Sequence, residues 1–245
     1  MNSGPANQHE DNAYILHTRS YKNTSLLVDA FSQNYGRLSF VVKGAKRNNS
    51  PMQGLIEPFN SLFLVWGGRG ELKNLYKAES TSPIINLQGD HLYAGFYVNE
   101  LIMYLLHKDE AHAELFLSYQ DCLKKLSKKQ ETNVILRYFE LALLAELGYG
   151  VNFKHDARND ADIDENKYYQ HDFDLGISEY RGDDQSVLKI TGDTLIALDN
   201  RELCTDQHKK EAKRLLRRIL EFYLEGRPIK AREFFVQKNK ISLFR

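Results

Sequence analysis

Apolar and polar residues alternate with a period of two through much of the first 80 positions. In Arg37–Lys43, Leu38, Phe40 and Val42 share one face while Ser39, Val41 and Lys43 share the other, the pattern of a half-buried strand. Ala13–Thr18 and Ser25–Phe31 are short runs of the same kind, and Asn34-Tyr35-Gly36 supplies hairpin chemistry between Ser25–Phe31 and Arg37–Lys43. Phe59–Trp66 and Glu71–Lys77 flank Gly67-Gly68-Arg69-Gly70, a second hairpin signal. Five strands in so short a stretch predict a small Greek-key barrel of the OB type, with an SH3-like barrel as the close competitor.

After Pro83 the period lengthens. His91–Leu106 is apolar nearly all round and predicts a buried helix. Ala111–Leu126 places Leu115, Tyr119 and Cys122 or Leu123 at helical spacing. In Thr132–Leu147, Ile135, Phe139, Leu143 and Leu147 recur every four residues, and Gly148 stands where a terminating glycine belongs. Residues 152–206 lose this periodicity, and the stretch from Lys154 to Asp174 reads as a loop or minor hairpin insertion. Asp206–Leu224 predicts a helix with Ala212, Leu215 or Leu216, Ile219 and Tyr223 on one side, and a last helix is expected from Pro228 through Phe234 and Phe235. The expected fold is therefore α+β: an OB-fold five-stranded β-barrel over 1–80, then an α-helical domain over 81–245 with a small acidic insertion at about 152–206.

Composition removes several classes of function. Mean hydropathy is −0.51, and no run approaches the roughly 18 consecutive apolar residues of a spanning helix. The polar, acidic start MNSGPANQHED does not resemble a signal peptide. Two distant cysteines, Cys122 and Cys204, give no disulfide framework and suit a reducing cytoplasm. The balance of 33 basic and 33 acidic side chains hides a strong segregation. Residues 1–80 carry a net +3, 81–151 a net −3, 152–206 a net −8 and 207–245 a net +8. Such patches let a formally neutral chain meet phosphate.

The basic loop Lys43-Gly44-Ala45-Lys46-Arg47 follows a strand directly, and its Lys and Arg can replace counterions on DNA. Arg37, Arg69 and Lys73 would extend that surface over neighbouring strands, and barrel aromatics such as Phe40 or Tyr76 could stack on bases. Phe40 is in phase with Leu38 and Val42, which favours the core for it. On the Asp206–Leu224 helix, Lys210, Arg214 and Arg217 or Arg218 form a stripe at three- and four-residue spacing, able to bind DNA or to pair with the acidic stretch. A solvated charged face competes with both readings. Enzyme signatures are missing: there is no Gly-x-x-x-x-Gly-Lys-Ser/Thr loop, His-Glu-x-x-His or Gly-x-Ser-x-Gly. Asp160, Asp162 and Asp164 mimic the start of a calcium loop, but Glu165 and His171 occupy the slots that need glycine and glutamate. No catalytic residue, cofactor or metal is expected.

Three strings, in order, resemble one family. GRLSFVVKGAKRNNS with LIEPFNSLFLVWGGRGELKNL is similar to the barrel of RecO recombination mediators, LRYFELALLAELGYGVNF to their central helix, and LEGRPIKAREFF to their C-terminal signature. The resemblance implies a bacterial, cytoplasmic, nucleoid-associated protein that binds single- and double-stranded DNA and anneals strands. It implies work with RecR, and through it RecA, on DNA coated by single-strand-binding protein, whose acidic C-terminal tail the helical domain contacts. Arg137 and Leu141 match that tail site by resemblance; an arginine beside an apolar groove can clamp a carboxylate, while Glu100 or Glu140 are the intradomain partners that would compete for it. Many members carry a four-cysteine zinc site after the central helix; this chain has no Cys-x-x-Cys there, so the insertion must be held otherwise. The competing reading from another class is a protein adaptor whose barrel does not touch nucleic acid.

Overall fold

A computed structural model describes residues 8–68 and 70–234. The barrel strands are β1 (Gln8–Tyr21), β2 (Ser25–Ser32), β3 (Gly36–Val42), β4 (Ser61–Gly67) and β5 (Leu72–Ser80). They close in the order β1-β2-β3-β5-β4, with β3 and β5 parallel and the other pairs antiparallel. That is the OB arrangement, and it settles the choice against the SH3-like alternative. Ile15, Val28, Phe40, Leu64 and Trp66 fill the interior, with Phe40 and Trp66 meeting edge to face at 5.5 Å. Phe40 is thus core, as its phase on β3 predicts.

α1 (Asp90–Leu105) and α2 (Ala113–Ser127) pack with the barrel in one compact unit, which comprises the described residues up to 130 together with 229–234. The apolar faces of these helices explain this: Leu115, Tyr119, Cys122 and Leu123 are all buried, and Phe116 and Tyr119 lie 5.5 and 6.0 Å from the Phe31 ring on β2. The division between compact units falls near residue 130. Gly36 opens β3 at φ +65°, and a Cβ there would sit 1.6 Å from the carbonyl oxygen of Glu110. Only glycine admits both that backbone and that approach. On α1, Glu100 accepts hydrogen bonds from the backbone N–H groups of Lys230 (2.7 Å) and Ala231 (3.0 Å), capping the helical residues 230–234. Phe235, expected in that helix, lies outside the described residues.

The second unit spans Glu131–Pro228. It contains α3 (Thr132–Glu146), β6 (Tyr168–Asp172), β7 (Gly176–Glu179), β8 (Ile190–Thr191), α4 (Gly192–Asp199) and α5 (Asp206–Tyr223). Ile135, Phe139 and Leu143 on α3 and Ala212, Leu215, Leu216 and Ile219 on α5 are buried, so the four-residue spacing marks the inward faces. Within 152–206, β6 pairs with β7 as a hairpin and with β8, and α4 follows. Thr191 caps α4 by accepting from the Thr194 N–H at 3.3 Å, while Glu211 on α5 accepts from the Thr191 N–H (2.9 Å) and hydroxyl (2.8 Å). Among the described residues, no helix is long and apolar enough to cross a membrane.

Candidate nucleic-acid interface

The basic loop after β3 forms a run of turns. The Lys46 N–H donates to the Thr24 carbonyl at 3.0 Å, Arg47 N–H to Gly44 at 3.1 Å and Ser50 N–H to Arg47 at 3.0 Å. Ala45 is buried and anchors the loop on the barrel core, so Lys43, Lys46 and Arg47 project as exposed side chains. None of the three forms an ion pair with a described residue. The cost of leaving three cations uncompensated here is small in water, and each can exchange hydration for phosphate.

Arg37 and Lys73 belong to a different neighbourhood. Six residues of β3 separate Arg37 from Lys43, roughly 20 Å of strand. Arg37 is half-buried beside the segment joining α1 to α2, where its carbonyl accepts from the Asp109 N–H at 3.0 Å. Burial lowers its pKa, and the nearby Asp29 carboxylate partly restores it. Lys73 on β5 is ion-paired to Asp109. The barrel residues thus fall into one open cluster, Lys43–Lys46–Arg47, and one engaged in holding β3 and β5 to the 108–109 segment. Arg69 lies outside the described residues. Tyr76 is exposed on β5.

In the second unit, Lys210, Arg214 and Arg218 are exposed and four apart, so they form one line along α5. Arg217 is turned to Glu221 at 2.7 Å, leaving Arg218 to continue the line. Lys209, beside it in sequence, is instead paired to Glu131 at 2.9 Å, and that hydrogen bond raises its pKa. The line ends at a contiguous set of rings. Phe222 stacks on Phe173 at 4.0 Å and meets Tyr223 edge-on at 5.2 Å, while Tyr223 stacks on Tyr149 at 3.8 Å. The Arg218 guanidinium lies 5.8 Å from the Phe173 ring centre. Sequence reasoning offered Arg217 or Arg218 for this line but missed Tyr149, Phe173 and Phe222, because three chain segments contribute them. The exact spacing of four from Lys210 to Phe222 was the available signal.

Behind these rings is a cavity of about 440 Å³ lined by Tyr149, Asp156, His171, Phe173 and Tyr223. Asp156 organises its wall, accepting from the N–H groups of Arg158 (2.8 Å) and Glu179 (2.7 Å). Burial opposes ionisation of Asp156, but those two hydrogen bonds prevail and lower its pKa. The carboxylate ties the 156–162 turn to β7, a fastening that needs no thiolate. Among the described residues no three His, Cys, Asp or Glu side chains converge as metal ligands.

Arg137 and Leu141 both lie on α3 and are buried. Arg137, 5% exposed, donates to Glu140 in a buried ion pair, so Glu140 is one partner of this arginine. Glu100 is used elsewhere, as the cap at Lys230 and Ala231.

Two family models account for nearly the whole chain: Recombination protein O N terminal over residues 6–84 and Recombination protein O C terminal over residues 87–233. The chain is 38% identical over 231 residues to a DNA repair protein RecO of Photobacterium profundum, covering 93% of this chain and 95% of that one. It is 40% identical over 226 residues to a DNA repair protein RecO of Escherichia coli, covering 92% and 93% of the two chains. A DNA repair protein RecO of Methylococcus capsulatus is 40% identical over 225 residues, covering 92% of each chain.

Proposed function

The chain belongs to the recombination protein O family, RecO, and from that premise we propose that it is a DNA repair protein that binds and anneals single strands without enzymatic turnover. The observation that supports this best is the exposed Lys43–Lys46–Arg47 cluster, held at the rim of an OB-type barrel with no ion pair to a described residue. Annealing requires two polyanions to approach, and a fixed cluster of cations lowers that repulsion through counterion release. The α5 line of Lys210 and Arg214 supplies a second basic surface.

Partner steps complete the reading. The protein is tethered to single-strand-binding protein through the acidic tail of that protein at the Arg137–Leu141 region of α3, and it works with RecR to place RecA on the strand. A tether raises local concentration, so individually weak contacts act together. The burial of Arg137 against Glu140 means that a peptide carboxylate reaches it only by rearranging that pair. These roles fit a bacterial cytoplasmic protein working at the nucleoid.

The test is fluorescence anisotropy of a labelled single strand over a salt series, with K46E/R47E beside the wild type. The double reversal is expected to weaken binding at least about tenfold and to reduce the salt slope by about 1 to 2. Binding and annealing that survive the reversal unchanged would leave the barrel a structural role and make the adaptor reading the better one.

A further inference from the structure

The end of α5 joins two features that single-strand binding requires, fixed cations and open aromatic faces. Lys210, Arg214, Arg218 and Phe222 succeed one another at intervals of four, about 6 Å of rise per step. The three cations are exposed and form no ion pair with a described residue. Phe222 is 55% exposed although its inner face stacks on Phe173. Tyr149 is 44% exposed although its inner face stacks on Tyr223.

Burying aromatic surface is a large driving force, so exposed rings held in this way keep an unmet demand for a partner. The stacking partners beneath restrict Phe222 and Tyr149, so little rotamer freedom is lost when a second flat group settles on them. Charge selects the partner. The approach along α5 is cationic, and Asp172 and Asp174 stand in the turn that carries Phe173. A polyanion is drawn along the helix and repelled from that acidic turn, which fixes the side on which its backbone can run. An acidic peptide would share the attraction to the cations but offers no series of flat rings to match two separated faces.

We propose that Phe222 and Tyr149 form a base-stacking platform for single-stranded DNA, whose phosphates lie along Lys210, Arg214 and Arg218. This rests on the DNA-binding reading above and adds to it a specific surface in the 131–228 unit. It also makes that surface selective for unpaired bases, because a duplex hides its ring faces in its own stack.

The experiment uses the full chain and labelled oligothymidylate, with a duplex of equal length as the comparison. Phe222→Ala and Tyr149→Ala are each expected to weaken single-strand binding about tenfold while duplex binding changes by less than about twofold. Phe222→Tyr, which keeps a ring, should bind as the wild type does, and thermal unfolding verifies that each variant is folded. Single-strand affinity unchanged in both alanine variants overturns the platform and leaves the barrel as the DNA site. A wild-type protein that binds no oligonucleotide at low salt overturns the DNA-binding reading itself. An acidic, phenylalanine-ended peptide provides the remaining arm. If the alanine variants lose that peptide while retaining the oligonucleotide, the rings serve a protein partner and the proposal falls.

Discussion

Asn99 on α1 donates its side-chain N–H to the carbonyl oxygen of Leu16 on β1 at 2.7 Å, across 83 residues of sequence. The register of β1 against β2 shifts between Ile15 and His17, so Leu16 stands at a bulge and its carbonyl is out of the ladder. Asn99 fills that vacancy, and its own Oδ1 accepts from the Tyr119 hydroxyl on α2 at 2.7 Å. One amide thus joins strand, helix and helix in the first unit. Burial, followed by the neighbouring Cys122, pushes the Tyr119 pKa well above its ordinary value, so the hydroxyl stays a donor.

Asn99→Leu removes the donor to Leu16 and the acceptor for Tyr119 while keeping the branched shape of the side chain. Each buried group that loses its partner costs about 1–3 kcal/mol, so a loss of roughly 2–6 kcal/mol is expected. Urea unfolding measures it; a loss under about 0.5 kcal/mol would show that the bulge carbonyl is satisfied without the amide.

Two glycines with positive φ separate steric from conformational cost. Gly36→Ala must displace the Glu110 backbone, and together with the left-handed conformation the expected loss is about 3 kcal/mol or more. Gly148→Ala, at φ +80° after α3, meets nothing within 4 Å and should lose only about 1 kcal/mol. Equal melting temperatures for the two variants would contradict this ranking.

The Arg137–Glu140 pair dictates how the proposed tail site can be tested. Arg137→Ala leaves Glu140, wholly buried on α3, without a charge partner it now has, and is expected to cost about 3–5 kcal/mol. Reduced peptide binding by that variant alone would therefore report unfolding as much as recognition. The double variant R137L/E140L should recover part of the lost stability, as read by thermal unfolding. A double variant less stable than Arg137→Ala would show that the pair is not what holds this part of α3.

His171 is expected to make the 131–228 unit sensitive to mild acid. Burial lowers its pKa below the ordinary 6.5, Arg218 lowers it further, and Asp172 partly opposes them. The unfolded chain then binds a proton near pH 6.5 that the folded chain refuses, so stability falls as pH drops below about 6.5. His171→Gln should flatten the dependence of unfolding free energy on pH in the range just below 6.5. An unchanged slope there would assign the acid sensitivity to other groups.

Elements whose order is local were legible in the sequence. The period-two runs give the five strands, and the spacing of Ile135, Phe139 and Leu143 gives the buried face of α3. α4 escaped because it is only eight residues long, although Thr191 is a recognisable cap. The Lys43–Arg47 loop was legible as a basic cluster because its members are contiguous. The engagement of Lys73 by Asp109 was not, since 36 residues and a strand pairing lie between them. The ring set of Tyr149, Phe173 and Phe222 was invisible for the same reason: no pattern along the chain links a helix end, a hairpin turn and a second helix end.

The cap that Glu100 provides for Lys230 and Ala231 also has a timetable. A ribosome adds about 5–20 residues per second, so the barrel, α1 and α2 wait roughly 5–20 s after residue 130 is made before residue 231 follows. Through that interval the carboxylate of Glu100 must be served by water, and the first unit exists with its last turn unbuilt. Nascent chains carrying an added C-terminal linker, stalled shortly before and shortly after the 230–234 segment leaves the exit tunnel, should accordingly differ in protease resistance around α1.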